Sequence, residues 1–196
     1  RAQWLAAQGH CVVRGACVAL NGNALVLLGS ARCGASVLAF ILSRRGWGLV
    51  SDGLVVIDSE GRARSLDAEV TLDASAISGL PLDVPRVSLN TGRDRVRVPA
   101  AAHPDAAVSA YVFLKIKHSA TGRSFTRSPF DRTSASVVNK CRIPAILSAT
   151  SSPIDPPSAD FWTLTRPTFL TDPESFAPPA LASLLMETFP NTTGSR

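Results

Sequence analysis

Residues 24–36 read Ala-Leu-Val-Leu-Leu-Gly-Ser-Ala-Arg-Cys-Gly-Ala-Ser, and no other segment limits the fold as tightly. An apolar strand, Ala24 to Leu28, runs into Gly29. Gly34 follows five residues later, and Ser36 opens an apolar helix. This is the frame G-x-x-x-x-G-K-[ST], in which backbone N–H groups cradle phosphates, the Lys reaches the β/γ-phosphates and the hydroxyl meets Mg²⁺. Ala35 stands at the Lys position. The frame predicts a strand–loop–helix unit of an α/β sheet. The substitution predicts that the charge needed for phosphoryl transfer is gone.

The flanking sequence supports such a unit. Residues 11–20, CVVRGACVAL, read as a strand, and Asn21-Gly22-Asn23 meets the positive-φ demand of a tight hairpin. Ala24 to Leu28 is apolar on both faces, as a covered strand requires. The helix after the loop, roughly Ala35 to Arg45, is apolar almost all round and predicts burial. Arg44 and Arg45 suit its C-terminal dipole, with Gly46 as a stop.

Gly48 to Asp58, GLVSDGLVVID, reads as a buried strand pair around Ser51-Asp52-Gly53, with a turn over 59–62. Residues 63–98 read as short strands and loops, and Val108 to Lys117 as a further strand. Residues 133–149 predict a helix ending near Pro144, and 150–160 a surface loop. Thr165 to Leu170 predicts a last strand and Pro178 to Phe189 an amphipathic helix. The whole, 1–196, predicts one domain with residues 150–196 as a Pro-rich C-terminal extension packed on it. A length of 196 residues suits a single sizeable core.

The stretch from Val18 to Ile57 resembles the catalytic domain of the HPr kinase/phosphorylase family, especially its short relatives. The order of strand, Gly loop, helix and "RRGWGLVSDGLVVID" carries the likeness. The resemblance implies an α/β fold: a P-loop kinase-like core with a mixed β-sheet and flanking helices. It implies nucleotide contacts from Gly29, Arg32, Gly34 and Ser36, a Mg²⁺ held by Ser36 and Asp52, and Asp52 as catalytic base. The departures point the other way. Ala35 replaces the Lys, Arg32 stands where a Gly is usual, Gly53 replaces the second Asp, and Arg14 stands where a His is usual. The loop is therefore expected to be degenerate.

Other chemistry is thin. Cys11, Cys17, Cys33 and Cys141 show no C-x-x-C spacing and no accompanying His cluster, so a metal site is not expected. They read as reduced, mostly buried thiols of an intracellular, cytoplasmic protein. Cys33 is either a reactive thiol at a helix N-terminus or a small loop residue. The chain begins at Arg1, which leaves a processed organellar targeting segment open. Val37 to Leu42 is too short to cross a membrane. His103 and His118 belong to no motif.

A net charge of +5 favours acidic or phosphorylated ligands. Arg93, Arg95 and Arg97 alternate on one strand face, but no aromatics interleave them as in single-strand binders, so nucleic acid is not the expected partner. The leading expectation is a non-catalytic, pseudokinase-like subunit that uses the fold for protein binding or scaffolding within a larger assembly, without a cofactor. The alternatives are an ATP- and Mg-dependent serine/threonine or small-molecule kinase, and a nucleotide sensor without turnover.

Overall fold

The computed structural model describes residue 5 and residues 9–31, 33–66, 69–74, 87–90, 94–100, 102–116, 124–143 and 159–166. Arg32, Arg93, His118 and the segment 167–196 lie outside the described residues, as does the expected helix Pro178–Phe189.

Strand β1 (Cys11–Leu20) and strand β2 (Asn23–Gly29) form an antiparallel hairpin. Asn21 (φ 52°) and Gly22 (φ 79°) turn the chain between them, as the sequence requires. Helix α1 (Ala35–Ser43) follows the loop, shorter than expected by the two arginines at its end. Arg44 is its C-cap, and Leu38 to Leu42 are buried. Strand β3 (Gly48–Ile57) then pairs antiparallel with β1. It is one continuous strand where the sequence suggests two, because both its halves pair with the same neighbour. The ladder is interrupted at Val50, which bulges between Leu49, paired with Val18, and Ser51, paired with Cys17.

Strand β4 (Arg62–Arg64) folds back from β3 and touches the start of strand β8 (Ala106–Ile116) through Arg62↔Ala107 and Ala63↔Ala106. Strand β8 also runs parallel to β2. The strands β1, β2, β8, β4 and β3 therefore close into a ring. Strand β10 (Asp160–Arg166) extends the sheet from β8 in parallel, and strand β9 (Ser124–Ser128) adds an antiparallel strand beyond it. Strands β5 (Glu69–Asp73), β6 (Val87–Asn90) and β7 (Asp94–Pro99) form a separate three-stranded sheet in the order β5-β7-β6. The architecture is a mixed β-sheet with flanking helices, an α/β fold.

Alternation along the strands sorts the apolar residues into two layers. Ala16 and Val18 of β1, Leu25 and Leu27 of β2, and Val112 and Leu114 of β8 face helix α1. Val70, Leu72, Val96 and Val98 of the small sheet complete that layer. Val13, Val26, Leu28, Val55 and Tyr111 face the other way, toward helix α2 (Arg132–Lys140), which contributes Val138. Tyr111 stacks on Phe130 with ring centroids 5.7 Å apart. Burying a leucine side chain contributes about 1.5–3 kcal/mol, so Leu25, Leu27, Leu28, Leu38, Leu42 and Leu49 hold the layers together.

Helix α2 opens on an Asp131 capping box with Ser134 and ends at Lys140, short of the expected limit near Pro144. Long-range pairing stops it. Beyond Gly29, the edge of β1 has lost β2 as a partner. Cys141 to Ile143 takes that place, with Arg14 N–H donating to Cys141 O at 2.8 Å and Ile143 N–H to Val12 O at 2.9 Å. Strand β10 begins at Asp160, five residues before the expected strand, because Phe161, Trp162 and Leu164 pair and pack there. Among the described residues, no helix is long and apolar enough to cross a membrane.

Candidate functional site around Ser36 and Asp52

Strands β2, β8 and β10 run parallel and end on the same side of the sheet, with Gly29 beside Leu114 and Ile116 beside Arg166. The crevice outside the carboxyl ends of such strands is where α/β sheets bind ligands. The loop from Gly29 to Gly34 leaves β2 at that edge.

Each described candidate has a definite place. Gly29 closes β2, and a Cβ there would lie 2.6 Å from Cys33 Sγ and 2.8 Å from Leu114 O. The Cys33 side chain is buried against the strand end and belongs to the α1-facing core. Cys33 N–H donates to Ser30 O at 3.0 Å, so the middle of the loop is folded into a tight turn. Gly34 is the N-cap of α1 at φ 97° and ψ 17°, a left-handed conformation that suits glycine. Ser36 sits in the first turn of α1.

Register brings Asp52 to the same place. It pairs with Ala16 of β1, which pairs in turn with Leu27 of β2, and alternation puts all three on the α1 face. Ser36 Oγ donates to Asp52 Oδ1 at 2.7 Å. Asp52 Oδ2 accepts from Thr71 N–H at 3.0 Å. The sequence points to Ser36 and Asp52, 16 residues apart, as partners, and the fold joins them. It gives no sign of Thr71, whose contribution is a backbone amide on the open edge of β5. Gly53 adopts φ 80° in mid-strand, and alternation turns it away from Ser36.

Cys141 also approaches this edge. Burial raises its thiol pKa, and a hydrogen bond from the Gly29 backbone offsets part of that rise. Of the four thiols, Cys11, Cys17 and Cys33 are buried. Burial pushes the Cys17 thiol far up. Among the arginines the sequence places on one face, Arg95 and Arg97 lie in β7, and Arg97 Nη1 meets Glu69 Oε2 of β5 at 3.3 Å.

The donor set fits one part of a Mg-nucleotide and not another. A serine hydroxyl and a carboxylate oxygen on adjoining elements are hard oxygen ligands of the kind Mg²⁺ uses beside phosphate oxygens. A triphosphate also needs a cation at Ala35 and open loop amides. Ala35 supplies no charge, and the Cys33 amide is engaged by Ser30.

No family model matches the chain, and no curated protein matches it. Among solved structures, it is similar to the Hpr(Ser) kinase/phosphatase from Coxiella burnetii, at 11% identity and a TM-score of 0.44, over 91% of this chain and 93% of that one.

Proposed function

We propose that this chain keeps the frame of a phosphate-loop domain and works without phosphoryl transfer, as a pseudokinase-like subunit that presents its surface to a protein partner. The observation that carries this reading is the engagement of Asp52. A general base needs an oxygen aimed at the proton it removes. Here Oδ1 is held by Ser36 and Oδ2 by the Thr71 amide. Ala35 removes the charge that would neutralise the transferring group, and losing one such preorganised contact costs about 3–4 kcal/mol of barrier.

The test is direct. Purified chain with Mg-ATP and serine-containing protein or small-molecule acceptors is expected to transfer no phosphate. Robust turnover abolished by Asp52→Ala would overturn the reading. The native chain is expected in a species larger than its own mass, and a single-chain species without a co-purifying protein would sink the scaffold part.

The Ser36–Asp52 contact favours a second reading, Mg-nucleotide binding without turnover. The pair retains the two oxygen ligands even where the transfer machinery has gone. Calorimetry with Mg-ATP separates it from a chain that binds no nucleotide.

A further inference from the structure

No further inference is drawn: the strongest candidate, the buried Tyr111 and Ser51 hydroxyls on the α2 side of the sheet, which have no hydrogen-bond partner among the described residues, is split between β8 and β3 with β1 and β2 between them in the register Ser51↔Cys17↔Val26↔Tyr111, so nothing in the structure brings the two groups together around a ligand.

Discussion

Cys33 Sγ lies 2.6 Å from the point where a Cβ on Gly29 would sit. The first loop glycine is thus required by packing. On the other side of the same point, Leu114 O is 2.8 Å away and belongs to the backbone of β8, which cannot swing aside. Gly29→Ala is expected to cost about 1–3 kcal/mol, the usual range for overpacking. Cys33→Ala in the same chain should recover part of the loss, since it removes the sulfur and leaves the carbonyl and the Cβ of residue 33, which is 2.9 Å from the same point. Urea denaturation of the two variants checks this, and an unchanged midpoint for Gly29→Ala would show the contact to be soft.

Asp52 carries a second stability prediction. Asp52→Ala leaves the Thr71 amide and the Ser36 hydroxyl without their acceptor. Leaving one such group unsatisfied costs about 1–3 kcal/mol, less where water can reach it. Ser36→Ala should cost less, because the carboxylate keeps Thr71. Thermal or urea unfolding ranks the two, and equal losses would mean that the Thr71 bond contributes nothing. Gly53→Asp tests the missing second carboxylate. A Cβ at Gly53 meets nothing within 4 Å, so only its φ of 80° opposes the change. The variant should fold with a loss of about 1–2 kcal/mol for the left-handed backbone. It should not gain phosphoryl transfer, because alternation turns residue 53 away from Ser36.

These contacts show which parts of the molecule could be read from sequence. The hairpin of β1 and β2, the loop and α1 were legible because their signals are local: Asn21-Gly22, two glycines at fixed spacing and an apolar run. Ser36 was singled out by the loop frame and Asp52 by the resemblance, and the fold sets the two side by side. The Thr71 amide was not, since a backbone donor has no sequence signature and its position depends on how β5 docks. The end of α2 at Lys140 was hidden for a similar reason. Residues 141–143 follow the open edge of β1, and that edge exists only once β2 has ended at Gly29. Ring closure through β4 rests on two residue pairs, too few to leave a pattern.

Acid sensitivity follows from the ties that hold the β4 closure. Asp105 Oδ1 accepts from Ser65 N–H at 2.7 Å, and Oδ2 meets Arg64 Nη1. Arg64 Nη2 also meets the buried Asp58 Oδ2 at 2.6 Å, as an ion pair off hydrogen-bond alignment. The Ser65 amide first, and Arg64 next, hold the Asp105 carboxyl below its ordinary value. A depressed folded-state pKa means stability fully present above the unfolded value, about 3.9 for Asp, and lost as pH falls through the lower folded value. The contribution is small because Asp105 and Arg64 are partly open to solvent, about 1 kcal/mol or less. Asp131 behaves alike, its carboxyl lowered by the Ser134 amide and hydroxyl at the start of α2. Urea midpoints between pH 7 and pH 2.5 should fall less steeply for Asp105→Asn than for the native chain, and parallel curves would contradict the assignment.

The last prediction concerns repair of the loop. If the absent Lys were the whole defect, Ala35→Lys would restore phosphate binding, since Gly34, Ser36 and the helix N-terminus are in place. The loop geometry argues otherwise. Phosphate binding needs loop amides turned toward the ligand, and the Cys33 amide donates to Ser30 O at 3.0 Å. The Cys33 side chain, packed beneath Gly29, holds that turn in place. Ala35→Lys alone is therefore expected to leave the apparent stability unchanged by the triphosphate. Arg32→Gly with Ala35→Lys gives the backbone at position 32 the freedom of a glycine and adds the charge, and should show a ligand-dependent rise. A ligand that binds only the folded chain at a hundredfold excess over its Kd adds about 2.7 kcal/mol, a readily measured shift in Tm. Melting each variant with Mg-ATP and with Mg²⁺ alone separates the two accounts. A clear shift from Ala35→Lys by itself would mean that the Cys33–Ser30 turn opens at little cost and that charge was the main thing lost.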